Sequence, residues 1–118
     1  MKEMTIPPAA MRTLIEQLRA LVSSTAMTED GDLDLRRAEL RAEIEALDRD
    51  QQHELVALLW LGRGDYGEDN WAEAVALAEE RHVGPTFDYL MAHPLAGDEI
   101  AAGLEEIGHD HVLLDGSY

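Results

Sequence analysis

The spacing of apolar residues predicts a chain of amphipathic helices. Between residues 11 and 22 the apolar positions recur in steps of three and four, which places them on one face of a helix. These positions are Met11, Leu14, Ile15, Leu18, Leu21 and Val22. Pro8 suits the first turn of this helix, because its ring fixes a helix-compatible φ. A stripe of this kind packs against a core or against a second chain, and the spacing leaves both alternatives open.

The middle of the chain combines an acidic stretch with two more apolar patterns. Residues 28–34 are predicted to form a loop, because Asp bonds its own backbone and favours turns. The apolar positions of a second helix are Leu40, Ile44 and Leu47. Asp48 is predicted to cap a third helix, with Gln51 completing a capping box. Residues 55–61 of that helix are apolar nearly all round, which indicates a place at the centre of the domain.

Glycines mark the ends of the next two helices. Gly62 and Gly64 are predicted to end the central helix, because glycine takes left-handed backbone angles at no steric cost. Asn70 is predicted to cap a fourth helix. The apolar stripe of that helix consists of Trp71, Ala74, Val75 and Ala78. Gly84 and Pro85 are predicted to end the fourth helix and open a short fifth one.

The last part of the chain predicts one more helix and a tail. Pro94 ends the fifth helix, and Asp98 is predicted to cap a sixth. The apolar positions of the sixth helix are Ile100, Leu104 and Ile107. No strand pattern competes, because β-branched residues are sparse and never alternate with polar ones over a useful length. The sequence therefore predicts an all-α fold: a compact bundle of five or six helices in a single domain over residues 1–108, with a loose tail at 109–118.

The charge of the chain is large and unevenly distributed. Nine basic and 25 acidic side chains give a net charge of −16 at pH 7. Nucleic acids and anionic membranes normally bind basic surfaces, so we expect neither as a partner. Residues 1–28 carry three basic and two acidic side chains, a net of +1, which leaves −17 on the remainder. The first segment is therefore the least repulsive surface for a second copy of the chain.

Length and composition indicate one cytoplasmic domain. A chain of 118 residues with 46% apolar content suits a single core. It has no cysteine, which removes disulfides and thiolate metal sites. The start shows no targeting pattern, and the longest apolar run, residues 55–61, is far shorter than the roughly 20 residues that span a bilayer. The excess of arginine over lysine hints at a GC-rich bacterial genome.

One run of residues resembles a known family. The run covers residues 55–65, and its most specific part is Trp60-Leu61-Gly62-Arg63-Gly64-Asp65. Further matching positions are Trp71, Thr86, Tyr89, Leu90, Leu95, Gly97, Asp98, Gly103 and Leu104. Together they resemble small bacterial proteins catalogued as domain of unknown function 3775, over about residues 35–105. The resemblance implies a small helical domain and carries no function with it.

The loop formed by Gly62, Arg63, Gly64 and Asp65 is the first candidate site. Glycines on both sides of Arg63 allow close backbone approach, and a guanidinium offers a planar fork to a carboxylate or phosphate. The alternative is a helix-ending turn, with Arg63 paired to Asp65, Glu68 or Asp69. Trp60 and Trp71 flank the loop. They form either a pocket wall or ordinary core, and core is the commoner place for tryptophan.

Metal and cofactor motifs are weak. An EF-hand that began at Asp30 would have Leu35 and Arg41 at the positions that need glycine and glutamate, so the calcium motif fails. His109 and His111 offer two ligands on a predicted loose tail, which make a poor site. No phosphate-binding loop, nucleophile elbow or zinc triad is present. We therefore expect no cofactor and no metal.

The missing catalytic motifs favour a non-enzymatic protein-interaction module. Such a module could pair with itself, and the predicted homodimer interface is Leu14, Leu18 and Val22 on the first helix. An alternative is a binder of, or enzyme acting on, a small anionic ligand at the loop of residues 62–65, with Trp60, Arg63, Asp65 and Trp71 around it. A weaker alternative is an acidic nucleic-acid mimic, in which carboxylates take the place of phosphates in binding a basic protein.

Overall fold

The computed structural model describes residues 4–24, 30–82, 84–109 and 112, apart from the side chains of 22–24 and 30–34. Over these ranges the chain is all-α, as predicted, and contains no strand. The helices are α1 (Pro8–Ser24), α2 (Asp30–Glu45), α3 (Arg49–Arg63), α4 (Trp71–Glu80), α5 (Thr86–Met91) and α6 (Ala96–Glu106), with a 3-10 turn at Glu68–Asn70. None of the helices in these ranges is long and apolar enough to cross a membrane.

Helix α3 begins and ends as the sequence predicts. Asp48 accepts a hydrogen bond from the Gln51 N–H at 2.9 Å, and the Gln51 side chain accepts one from the Asp48 N–H at 3.1 Å. This reciprocal pair satisfies two N–H groups that have no partner inside the helix. At the other end Gly64 takes a left-handed φ of 88°, and its N–H donates to the Leu61 carbonyl. The apolar middle of α3 is buried between these caps.

Two glycines bring α3 and α6 into backbone contact. A Cβ at Gly62 would overlap the carbonyl oxygen of Glu99 on α6, and a Cβ at Gly103 would overlap the carbonyl oxygen of Leu58 on α3. Gly62 lies inside α3, so the prediction that it ends the helix is wrong, and Gly64 alone has that role. The absence of a side chain at both positions permits this close crossing.

Helix α1 supplies the other wall of the core. Its stripe is buried within a single chain; the described members are Met11, Leu14, Ile15, Leu18 and Leu21. Gly97 on α6 gives room for this packing, because a Cβ there would lie 3.2 Å from the Ile15 carbonyl oxygen. The Arg19 and Asp98 side chains also meet at 2.6 Å, but both are largely exposed, so this ion pair adds little stability.

The segment before α1 is fastened to α3 by a buried carboxylate. Glu54 accepts hydrogen bonds from the Thr5 N–H at 3.0 Å and the Thr5 hydroxyl at 2.8 Å. Burial raises the pKa of Glu54, while the bonds from Thr5 act in the opposite direction. Next to this contact Ile6 is fully buried. The N-terminal segment is therefore part of the core.

Two predicted helix starts are wrong. The loop predicted for residues 28–34 is wrong for residues 30–34, which form the first turns of α2, and residues 28 and 29 lie outside the described part of the chain. Acidic residues at a helix N-terminus interact favourably with the helix dipole, which offsets their low helix propensity. Asp98 was expected to cap α6, but the helix begins at Ala96 and Asp98 lies in its first turn. There too its charge suits the dipole, without a capping hydrogen bond.

The predicted loose tail differs from the structure at two residues. His109 and Val112 are both buried, and Val112 belongs to the core. The His109 N–H donates to the Leu104 carbonyl at 2.7 Å, after Gly108 reverses the chain with a φ of 90°. Residues 110, 111 and 113–118 lie outside the described part of the chain, so the expectation for them stays a prediction.

We predict that Gly103→Ala destabilises the fold by about 1–3 kcal/mol, because the new methyl group collides with the α3 backbone. Helix propensity alone would favour alanine by about 1 kcal/mol. Gly67→Ala is the matched control, since nothing lies within 4 Å of a Cβ there. Urea denaturation of the two variants measures the difference, and equal free energies of unfolding would contradict the close crossing.

We predict that the double variant Leu14→Asp/Leu18→Asp fails to fold. Each substitution removes about 1.5–3 kcal/mol of burial and adds a charge to the core, against a total stability of about 5–15 kcal/mol. Circular dichroism and light scattering measure helix content and molar mass. Leu35→Asp is the control, because Leu35 on α2 is 58% exposed. A folded, soluble monomer from the double variant would instead place the stripe at an interface.

Candidate functional site

A cleft of about 450 Å³ lies between the second half of α3, the end of α4 and α5. Three residues of α3 line it at a spacing of four and three: Val56, Trp60 and Arg63. This spacing places them on one face of the helix. Because the opposite face of α3 packs on α6, this face is the one left to form a cavity wall.

The second wall comes from the turn between α4 and α5. Arg81 and His82 follow the last turn of α4, and Gly84 reverses the chain with a φ of 75°. That left-handed angle is readily available only to glycine. The turn brings Thr86 and Tyr89 of α5 opposite Trp60. The cleft therefore collects residues that are up to 33 positions apart in the chain, from Val56 to Tyr89.

A hydrogen bond joins the two walls. The indole N–H of Trp60 donates to the Tyr89 hydroxyl at 2.8 Å. This bond uses the Tyr89 oxygen as an acceptor and leaves its own O–H to donate. Among the described residues the Tyr89 hydroxyl has no acceptor, and Tyr89 is 36% exposed. The cleft thus presents one phenol donor that a ligand could use.

Arg63 is held at the edge of the cleft by three neighbours. Its Nη1 donates to His93 Nε2 at 3.2 Å, and its Nε lies 3.7 Å from Asp65 and 3.8 Å from Glu99. Arginine can only donate, so Nε2 of His93 is the acceptor, and its Nδ1–H donates to the Tyr89 carbonyl at 2.9 Å. Both carboxylate contacts are longer than hydrogen bonds. They orient the guanidinium without using all its donors.

Arg81 is the second cation of the cleft. Its guanidinium makes neither a hydrogen bond nor an ion pair with any part of the chain that the structure describes. Arg63 and Arg81 against Asp65 give the lining a formal charge of +1, although the whole chain carries −16. Glu99, whose carboxylate lies 3.8 Å from Arg63, is not among the lining residues. The lining residues therefore carry a small positive formal charge in a chain of the opposite sign.

The family model for DUF3775, "Protein of unknown function (DUF3775)", matches residues 37–109, which is more than half of the chain. This chain belongs to the DUF3775 family. The match begins within α2 and ends at His109, so it contains every residue that lines the cleft and excludes α1. The comparison with curated proteins found no match, and neither did the comparison with solved structures.

The structure of this DUF3775 protein brings together three of the four residues that were predicted to form a site at the loop of residues 62–65. Trp60, Arg63 and Asp65 line the cleft, whereas Trp71 lies in the core on α4 and does not reach it. Of the pairings considered for Arg63, the one with Asp65 is present. Trp60 satisfies both alternatives, because it is buried and its edge still lines the cavity.

Sequence reasoning missed Arg81, His82 and the role of Tyr89. Arg81 and His82 lie just before the helix break at Gly84 and Pro85, which was a usable signal, because binding residues are frequent on the loops that connect helices. Tyr89 entered only through the family resemblance. Its position opposite Trp60 depends on how α5 packs, and no local pattern reports that.

Two of the three predicted dimer residues lie in the core. Leu14 and Leu18 are 4% and 3% exposed within one chain, which is the core alternative that the spacing left open. The third residue, Val22, has a side chain outside the described set. A dimer through Leu14 and Leu18 would require α1 to leave its position on α2 and α6.

No metal site is evident in the described ranges. They contain no group of three or more His, Cys, Asp or Glu residues that could hold an ion. The acidic side chains of residues 30–34, and Asp110 with His111, lie outside the described part. The rings of His53 and of His82, which lines the cleft, meet edge to face with their centroids 5.2 Å apart.

His53 is a buried histidine, and one of its ring nitrogens has no hydrogen-bond partner among the described residues. It is buried on α3, and its Nε2 has no hydrogen-bond partner within the described residues. Burial first, and then the neighbouring His82, lower the pKa of His53 below its ordinary value of 6.5, while Glu79 and Asp50 act in the opposite direction. The folded protein therefore favours the neutral ring.

We predict that the contribution of His53 to stability falls as the pH drops below about 6.5, because the unfolded chain protonates His53 before the folded chain does. The stabilising contribution of the neutral His53 ring is complete above pH 6.5. It is lost as the pH falls toward the lower pKa that His53 has in the folded protein. His53→Asn cannot titrate, so its free energy of unfolding should fall less between about pH 7.5 and about pH 5.5. Glu54, whose pKa burial raises, is present in both the wild-type protein and the His53→Asn variant, so its effect on the pH dependence is common to both. Parallel curves from urea denaturation would contradict the prediction.

Proposed function

We propose that this protein binds a small anionic molecule in the cleft between α3, α4 and α5. One observation carries the proposal: Arg63 and Arg81 line the same cavity, and the Arg81 guanidinium has no partner among the described residues. A guanidinium left unpaired in a concave site has five donors available to a ligand. The proposal follows the alternative drawn from the loop of residues 62–65, enlarged by Arg81 and Tyr89.

The composition of the cleft supports binding of an anion over binding of a cation. Among its lining side chains, the two guanidinium groups and the Tyr89 hydroxyl can donate to an anion, and the His82 imidazole can donate or accept. Asp65 is the only carboxylate in the lining, and it already faces Arg63. Hydrogen bonds from a charged donor to an anion are about twice as strong as neutral ones.

The protein-interaction module, its homodimeric form and the nucleic-acid mimic stay predictions. The cleft is the stronger basis for a function, because two guanidinium groups and a phenol hydroxyl line the same cavity. The dimer rested on an apolar stripe that is buried inside one chain. The mimic rests on net charge alone, which an acidic surface acquires for solubility.

We predict that Arg81→Gln weakens binding of a small carboxylate or phosphate ester by about tenfold or more, since a hydrogen bond to a charged group contributes about 1.5–3 kcal/mol. Arg63→Gln should act in the same direction. The measurement is a calorimetric titration with acetate, benzoate, inorganic phosphate and phenyl phosphate. Ligand-induced increases in melting temperature provide a second readout.

Arg37→Gln is the matched control for this experiment. Arg37 is an exposed arginine on α2 that does not line the cleft, so its loss removes the same charge from the chain without touching the cavity. If Arg37→Gln and Arg81→Gln bind the small anion with equal affinity, the loss of binding reflects only the overall charge of the chain, and the proposed site is refuted.

A further inference from the structure

The donors of the cleft favour a carboxylate. Arg81 offers a planar fork with no partner in the described chain, and the Tyr89 hydroxyl offers one more hydrogen from the α5 wall. A carboxylate accepts two parallel hydrogen bonds from one guanidinium and keeps lone pairs for a third donor. Arg63 already faces Asp65, Glu99 and His93, so Arg81 is the cation with the most unused capacity.

The charge around Arg81 favours a ligand with a single negative charge. The lining has a net formal charge of +1, which one carboxylate neutralises. Glu79 and Glu80 directly precede Arg81, and the rest of the chain is strongly acidic. A second negative charge on the ligand would add repulsion from these neighbouring carboxylates, and Arg63, the other cation of the cleft, already faces Asp65 and Glu99. Dianions such as phosphate monoesters are therefore disfavoured.

The remaining lining gives the cleft an apolar wall beside its polar groups. Val56 of α3, Ala78 of α4 and Pro85 of the turn contribute carbon atoms beside the edge of Trp60. The volume of about 450 Å³ is much larger than a carboxylate group alone requires. Pockets of this size are typically filled by an apolar body whose orientation a few polar groups set.

We propose that the natural ligand is a monocarboxylate with a short apolar body, bound through Arg81 and the Tyr89 hydroxyl, with the body against Val56, Ala78 and Pro85. This inference rests on the proposed function, since it names the class of anion that the cleft takes. It assigns Arg81 as the residue that determines binding and the apolar wall as the part that determines which carboxylate is preferred.

Four probes test the ligand class by calorimetric titration at about pH 8, where a phosphate monoester is a dianion. The first, 3-phenylpropionate, has both features. Propionate has the charge without the body, 3-phenyl-1-propanol has the body without the charge, and phenyl phosphate carries two charges. We expect 3-phenylpropionate to bind about tenfold or more tightly than each of the others.

Two variants separate the parts of the site. Arg81→Gln should lower the affinity for 3-phenylpropionate by about tenfold and leave the affinity for 3-phenyl-1-propanol unchanged. Val56→Thr places a hydroxyl on the wall at nearly constant volume, so it should weaken 3-phenylpropionate by about threefold or more and leave propionate unchanged. Helix content measured by circular dichroism shows that each variant is folded, and Arg37→Gln is again the charge control.

The outcomes distinguish this inference from the proposed function. If phenyl phosphate binds most tightly and depends on Arg81, anion binding stands and the monocarboxylate is wrong. If propionate equals 3-phenylpropionate, the apolar body is wrong. If no probe up to about 10 mM shows binding that depends on Arg81, both the inference and the proposed function are overturned.

Discussion

The backbone contact between α3 and α6 is the constraint on which the rest of this structure depends. Gly62 and Gly103 each present bare backbone to a carbonyl of the other helix, at Glu99 and Leu58. Helices that approach this closely can cross at few positions, because any side chain there forces them apart. The register of α6 on α3 is thus set by two residues that contribute no side-chain contact.

That crossing also decides where a cavity can form. On a helix of 3.6 residues per turn, residues 56, 60 and 63 lie roughly opposite residues 58 and 62. With the glycine face of α3 pressed against α6, the Val56, Trp60 and Arg63 face turns toward α4 and α5. The short α5 leaves that side incompletely covered. The cleft is therefore the consequence of a close contact on one side of α3 and a looser one on the other.

Charge gives this cavity its chemistry. Three other arginines form exposed ion pairs: Arg12 with Glu16, Arg19 with Asp98 and Arg41 with Asp88. These guanidinium groups serve mainly solubility and local order. Two further arginines, Arg63 and Arg81, border the cleft. Their formal charge is opposite in sign to the net charge of −16 that the chain carries. The family match spans the whole lining of the cleft and leaves out α1.

The sequence by itself determined the all-α class, a bundle of five or six helices, the capping box at Asp48 and the glycine stop at Gly64, because each depends on periodicity or on neighbours within one turn. It also marked Arg63 beside Trp60. Only the tertiary structure decided that Gly62 serves a helix crossing, that Leu14 and Leu18 are core, and that Arg81 and Tyr89 share a cavity with Arg63. These outcomes depend on which helix face meets which, and that is set by packing between residues distant in the chain.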